Sequence, residues 1–323
     1  MISLIVPFKG NVDELLVLLS SICDLNLKPQ EVIIVNASLS SSLPFSVDEV
    51  IDTFESHGMS LIVTHCQNAF PGAARNRGIQ LAKGDILAFL DLSTTPSKEW
   101  LTQALWQLRP ELECVWGRTN YEVDGYFYKL FKYATYGERP LITLPGSLIR
   151  RSVFYKVGLF VELTRAGEDA DWMSRFNLHK LEAVPGKIVL TYKKLNQLSF
   201  LGLVAKWYRN YFYGSQMPYL QPHKTIYYHS AVLIGLMFSF NWNAMWASWD
   251  ETNFLYFPHI TKITMSILLL FYFVLRGILL PVRKGVSFRE LLPFSWVLLG
   301  SISLILDAAK ILAFTNSRLK LLK

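Results

Sequence analysis

Apolar and polar positions over the first 195 residues follow two alternating rhythms. Short runs that are apolar at nearly every position include residues 2–7 (ISLIVP), 31–35 (EVIIV) and 85–90, and 60–65 (SLIVTH) is expected as a further strand. Runs that are apolar on both faces predict strands covered by helices on each side. Between them lie stretches with apolar residues three and four apart, as in 13–25, where Leu15, Leu16, Leu18, Leu19 and Ile22 share one helical face. Residues 47–56 and the stretch opening at Pro71 continue the helical rhythm. Strand and helix in alternation predict parallel pairing through right-handed crossovers, hence a doubly wound α/β sheet. Beyond it, a helix over 98–108, a strand at 114–118 (CVWGR), a short strand within 145–151 and a helix after Gly167 are expected. The aromatic-rich segment 121–136 shows no clear period.

The pattern changes near residue 225, where three long apolar segments begin: 226–246, 263–282 and 291–314. Each approaches the roughly 20 residues that cross a bilayer, and Trp and Tyr crowd their ends, as at a lipid interface. Residues 200–213 (FLGLVAKWYRNYFY) mix aromatic and apolar residues with Lys206 and Arg209. That is the composition of a helix in the headgroup plane, and equally of a helix packed on the domain. The expected division is therefore a domain over 1–195, an interfacial helix and linker over 196–224, and a membrane region with two to three transmembrane helices over 225–323.

Arg276, Asp307 and Lys310 interrupt the apolar segments. Asp307 and Lys310 lie three apart on one helix face, so they either pair or mark where the last segment surfaces. A multi-pass protein with a cytoplasmic catalytic domain puts Asp250 and Glu251 outside and Arg283, Lys284 and Arg289 inside, as the positive-inside rule prefers. A third crossing then carries Arg318, Lys320 and Lys323 outward, against the rule, unless that segment is re-entrant or interfacial.

Composition narrows the partners. The net charge is +7 and 51% of the residues are hydrophobic. No basic-aromatic nucleic-acid module accompanies that charge, so lipid and phosphate are the expected partners and nucleic acid is not. The three cysteines lack metal-like spacing and read as buried free thiols of a reducing compartment.

Candidate chemistry gathers at the carboxyl ends of the strands, where open α/β sheets bind ligands. Three such ends are the loops at 7–10 and 36–42 and the acid Asp91, which follows an apolar run and leads into Ser-Thr-Thr-Pro. Asp91 serves either that edge or the cap of the next helix. Arg75 and Arg77 suit a diphosphate, since guanidinium matches phosphate in a bidentate manner, or else form a solvated helix face.

Read in order, these pieces resemble family 2 glycosyltransferases of the GT-A fold. The match comprises the first strand ending at Pro7, Ala74-Arg75-Asn76-Arg77-Gly78, Phe89-Leu90-Asp91, Arg150-Arg151, Val157-Gly158-Leu159-Phe160 and Gly167-Glu168-Asp169-Ala170-Asp171, spanning about residues 2–180. The resemblance implies inverting transfer of a sugar from a nucleotide-sugar donor to an acceptor hydroxyl. It places Pro7, Asn36, Arg75, Arg77, Asp91 and Ser93 on the donor side. Asp169 is the matching catalytic base beside Glu168, and an N-terminal helix cap is the alternative use of that acidic pair. Asp171, Trp207 and Arg209 are acceptor-side or interface candidates. An Asp-x-Asp motif would hold Mg²⁺ or Mn²⁺ on the diphosphate. Here Asp91 is the single metal candidate, because Ser93 replaces the second acid. Asn36 stands where the family keeps a base-reading acid. The membrane segments imply a lipid-linked or glycolipid acceptor, in glycan or polysaccharide assembly. Ser93 and Asn36 leave open an alternative, a catalytically silent nucleotide-sugar-binding or membrane scaffold protein.

Overall fold

The computed structural model describes residues 1–40, 47–220 and 223–321. The distal part of the 36–42 loop and Lys323, both named above, lie outside these residues. Four strands follow the sequence closely: β1 (Ile2–Phe8), β2 (Glu31–Asn36), β3 (Ser60–His65) and β4 (Ile86–Phe89). They pair in parallel in the order β3-β2-β1-β4. The helices α1 (Val12–Cys23), α2 (Val47–Ser56) and α3 (Pro71–Leu81) return the chain across the faces, and crossovers of that kind enforce parallel pairing.

Past β4 the direction changes. A two-residue strand β5 (Thr94–Thr95) and helix α4 (Trp100–Gln107) precede β6 (Cys114–Tyr121). After α5 (Tyr126–Thr135) the chain enters β7 (Leu141–Arg150), antiparallel to both β4 and β6. β7 is longer than the expected 145–151 strand because its first half pairs with β6 across an irregularity between Val115 and Gly117. The proline in mid-strand explains the interruption: Pro145 has no N–H to give the ladder. A side chain on Gly117 would lie 1.9 Å from the Pro145 carbonyl, so the close approach of the two strands requires glycine there. After α6 (Ser152–Val157) and α7 (Glu168–Leu178), the short strands β8 (Ala183–Pro185) and β9 (Leu190–Tyr192) extend the sheet on β6.

Two apolar layers cover the faces. One centres on Leu4, Leu15, Ile22, Trp100 and Leu101, under α1, α2 and α4. The other joins Ile5, Ile33, Phe89, Phe154, Trp172 and Phe176, under α3, α6 and α7.

The remainder is helical: α8 (Phe200–Gly214), α9 (His223–Ala247), α10 (Ile260–Val274), α11 (Leu280–Arg283), α12 (Phe288–Leu291) and α13 (Ser295–Leu321). A π turn, Leu275–Leu279, joins α10 to α11. Among the described residues, two helices are long and apolar enough to cross a membrane, Ile260–Arg283 and Ser295–Lys320. The first expected segment forms α9, which is not among these two.

A third apolar cluster ties these helices to the domain, with Leu130 and Phe131 of α5, Leu203 of α8, and Leu299 and Leu306 of α13. Ser215 donates to Ser317, and Asn316 donates to the Tyr208 hydroxyl at 2.9 Å, so α13 runs along α8. Asp307 and Lys310 pair at 2.9 Å, and Arg276 from the π turn joins them at 2.9 Å. Tyr272 donates to the same carboxylate at 2.9 Å. The three charges are thereby paired at one point between two apolar helices, where an unpaired charge is costly, although the Arg276 Nε makes no hydrogen bond of its own.

Candidate active site

The ends of β1, β2 and β4 meet α7 and α8 around a cavity of about 750 Å³. Its sheet-side wall holds Pro7, Lys9, Arg75, Asp91 and Ser93. Glu168 and Asp169 form the middle, and Tyr121, Tyr136, Tyr192, Lys206, Asn210 and Tyr211 the far wall.

Local structure fixes the acids. Asp91 follows β4 in a turn closed by the Thr94 hydroxyl, which donates to the Asp91 carbonyl at 2.7 Å. It does not cap α4, which begins at Trp100 with Glu99 before it. Gly167 precedes α7 with φ +90°, a left-handed conformation glycine adopts without cost. That turn puts Glu168 and Asp169 in the first helical turn, facing the cavity. The Gly167 backbone also abuts α8: a side chain there would come within 3.1 Å of the Gly214 Cα.

Arg75 joins the two acidic elements. Its guanidinium donates to Asp91 at 2.9 Å and to Glu168 at 2.6 Å, and only 4% of its surface is exposed. Helix α3 is held in place for this. Gly72 lies so close to the Val161 carbonyl that a Cβ would sit 2.1 Å from it. Asn76 clamps Phe160 with two hydrogen bonds of 2.9 Å. Burial opposes the Arg75 charge, but Asp91, Glu168 and Asp169 outweigh it and hold its pKa above the ordinary value. Burial first, and then the adjacent Asp169 charge, push the Glu168 carboxyl upward against the opposing pull of Arg75. Asp169 accepts a bond from its neighbour Ala170 N at 2.8 Å and has no cation within ion-pair distance among the described residues. Tyr121 lies in the same field: burial, Tyr192, Asp169 and Asp91 all raise its hydroxyl pKa.

Of the residues singled out in the sequence, the structure gathers Pro7, Arg75, Asp91, Ser93, Glu168 and Asp169 around one cavity. Others sit apart from its lining. Arg77 points outward from α3, exposed. Asn36 is buried, donating to the Ser40 carbonyl at 3.1 Å and accepting from Ser38 N at 3.0 Å, and so shapes the loop after β2. Asp171 is fully buried and holds Arg175 at 3.0 Å, which in turn donates to the carbonyls of Val157 and Leu159. Trp207 packs edge-on against Phe131 and Tyr136. Arg209 stands beside the cavity on α8.

On the far wall the sequence marks the tyrosines of 121–136, either to stack on a sugar or base or to form an aromatic core, and Lys206 as part of an interfacial helix, but it does not join them into one wall. Tyr121 stacks on Tyr136 with ring centroids 3.8 Å apart, and Lys206 donates to the Tyr192 hydroxyl at 3.1 Å. A signal existed on α8, where Lys206, Asn210, Tyr211 and Gly214 fall at helical spacing on one face.

Residues 3–159 match the family model Glycosyl transferase family 2. Two curated relatives, the pre-mycofactocin glycosyltransferases of two Mycobacterium tuberculosis strains, are each 27% identical over 186 residues. That alignment covers 53% of this chain and 37% of theirs, so the chain spans little more than a third of their length. The mannosyltransferase PcManGT of Pyrobaculum calidifontis, solved with GDP-Man and Mn²⁺, superposes over 96% of this chain and 86% of its own, with TM-score 0.53 and 16% identity. At that identity the likeness bears on the fold. The doubly wound domain, with its acids at the carboxyl edge of the sheet, has the GT-A fold, and residues 3–159 of it are similar to glycosyl transferase family 2.

Proposed function

We propose that the protein is a membrane-anchored, inverting glycosyltransferase that moves a sugar from a nucleotide-sugar donor to a lipid-linked acceptor. The observation that carries this reading is the make-up of one cavity. One wall is the carboxyl edge of the sheet with Asp91, and the other is α8, which packs on the apolar helix α13. A donor seated on the sheet edge and an acceptor rising from a bilayer would meet there.

Glu168 and Asp169 divide the acid work. Glu168 is engaged by Arg75, whereas Asp169 lines the cavity without a cationic partner among the described residues. Asp169 is therefore the base. As the acceptor hydroxyl oxygen attacks the anomeric carbon, its proton passes to the Asp169 carboxylate and the bond to the nucleoside diphosphate breaks on the opposite face. Proton transfer to a positioned carboxylate contributes typically about 10²–10⁴ in rate. Arg75 keeps Glu168 and Asp91 in register and offsets their charge.

A divalent metal fits in a limited way. Among the described residues no group of three acid, histidine or cysteine ligands converges, and Asp91 already shares one oxygen with Arg75. One carboxylate and the Ser93 hydroxyl suit a Mg²⁺ or Mn²⁺ that arrives on the donor diphosphate, since Mg²⁺ commonly takes one or two carboxylates plus substrate phosphates. Such an ion would offset charge on the leaving diphosphate. The metal requirement should be weaker than in relatives with both acids, and Ser93→Asp should tighten Mn²⁺-dependent binding. The orientation of the reading is cytosolic, with Arg283, Lys284 and Arg289 on the same side as the domain.

The test is a panel of nucleotide sugars, screened by thermal shift and then by release of nucleoside diphosphate with and without Mn²⁺. A donor that binds only the folded protein raises its melting temperature by mass action. Stabilisation by one nucleotide class with turnover supports the reading. Stabilisation without turnover on any acceptor or water contradicts it.

A further inference from the structure

The two walls of the cavity differ in charge. At the sheet side, Arg75 pairs with Asp91 and Glu168, Asp169 adds a third acid, and the other cation of that wall, Lys9, donates to Asn68 at 2.8 Å. At the α8 side the balance is reversed. Arg165, from the loop before Gly167, and Lys206 line the cavity, and Arg209 follows Lys206 by three residues on the same helix. Lys194, also on this side, is matched by Glu14. No carboxylate among the described residues is paired with Arg165, Lys206 or Arg209, and Lys206 donates to a neutral tyrosine hydroxyl at 3.1 Å. The Arg209 Nε is buried and has no hydrogen-bond partner. Arg165 and Arg209 are close enough to repel: burial and then the Arg165 charge hold the Arg209 pKa below its ordinary value.

This arrangement is fixed in place. The loop bearing Arg165 presses on α8 through Gly167 and Gly214, and α8 is held along α13 by Ser215–Ser317 and Tyr208–Asn316. Like charges held together at a cavity edge, with an unmatched buried donor, want an anion. Two guanidinium forks and an ammonium suit the oxygens of a phosphate, which accepts charge-assisted bonds from several directions.

We propose that Arg165, Lys206 and Arg209 form a phosphate subsite on the α8 side of the cavity, which takes the phosphate or diphosphate headgroup of the lipid-linked acceptor. The assignment to an acceptor rests on the transferase reading above. Helix α8 adjoins the apolar helix α13, so a headgroup seated here leaves its chain beside apolar surface, with the hydroxyl end toward Asp169. The same phosphate chemistry has a second source, the diphosphate of the donor, and the test separates the two.

The full-length protein in detergent or nanodiscs is titrated with farnesyl phosphate, with farnesol and with a panel of nucleoside diphosphates. The titrations compare wild type with the double variant Arg165→Gln/Arg209→Gln. Wild type is expected to bind farnesyl phosphate at least about tenfold more tightly than farnesol. In the double variant that preference should vanish, while farnesol and the best nucleoside diphosphate stay within about twofold of wild type, showing that the variant is folded. Equal wild-type affinity for farnesyl phosphate and farnesol overturns the subsite. Loss of nucleoside diphosphate affinity in the variant, with farnesyl phosphate binding kept, assigns the arginines to the donor and also overturns it. If no nucleoside diphosphate binds wild type, the transferase reading itself fails, and the acceptor assignment with it. That result is read independently of the farnesyl pair.

Discussion

At the scale of single residues, the site depends on one buried guanidinium serving two acids. Removing one partner of a buried ion pair costs about 3–5 kcal/mol, because the other charge is left uncompensated. Arg75→Gln strands Glu168, which is 5% exposed, and should lower stability by an amount of that order in thermal or denaturant unfolding. Arg75→Lys keeps the charge but cannot span both carboxylates, so it should fall between the two. Unchanged stability in Arg75→Gln would mean that the pair is not formed. The pH dependence has a definite sign. Burial and Asp169 raise the Glu168 pKa above its ordinary value, so the folded state binds more protons there than the unfolded chain. The contribution is fully present below the ordinary carboxylate range and is lost as pH rises through the raised folded value. Glu168→Gln removes that slope, and stability measured across the window should be flatter in the variant than in wild type.

Between elements, the decisive contact is the one that seats α7 against α8. Gly167 combines φ +90° with a Cβ position 3.1 Å from the Gly214 backbone. Gly167→Ala should cost about 1–3 kcal/mol, the usual penalty for a non-glycine residue held at such a dihedral, and should reduce transfer more than donor binding. Transfer and donor affinity measured on one preparation check this, and equal losses in both would contradict it. Elements of this kind differ in how far the sequence discloses them. Strands β1, β2 and β4 were legible because each is buried on both faces and reads as an almost unbroken apolar run, and the edge strand β3 because it keeps Leu61, Ile62 and Val63 in a row. The antiparallel insertion of β7 was not, because it arises from pairing with β6 and β4, which leaves no local period. Helix α5 was obscured for a related reason: its aromatics serve contacts with α8 and α13 rather than the sheet. Arg75 and Arg77 looked equivalent as a pair of cations. Two residues on a helix are about 200° apart, so only one of them can face the cavity. Asn36 is a different case. Its position at the end of β2 was legible, but its bonds to Ser38 and Ser40 depend on the loop conformation.

For the whole molecule, the membrane reading rests on two apolar helices and on the ion cluster between them. Asp307 receives Arg276, Lys310 and Tyr272. Asp307→Asn leaves two cations without a counter-charge in an apolar setting and should destabilise the detergent-solubilised protein by a few kcal/mol, about the cost of breaking a buried pair. Adding Arg276→Gln to that variant should recover part of the loss, and a double-mutant cycle of melting measurements reads the coupling. Additive losses would show that the two side chains do not interact. The same assembly joins the apolar helices to the cavity, since α13 carries Asp307 on one side and supports α8, a wall of the cavity, on the other.

The central claim is that this cavity transfers a sugar with Asp169 as the base, and one variant tests it most directly. Asp169→Asn keeps the side-chain size and the bond to Ala170 N but cannot take a proton at neutral pH. Asp169 is not the cap of α7, a position Gly167 occupies without a side-chain bond, so folding should survive the change. Donor affinity and transfer rate are to be measured on the same preparation of wild type and variant. The account predicts donor affinity within about twofold and transfer reduced by about 10²–10⁴. Transfer within a few-fold of wild type would contradict it.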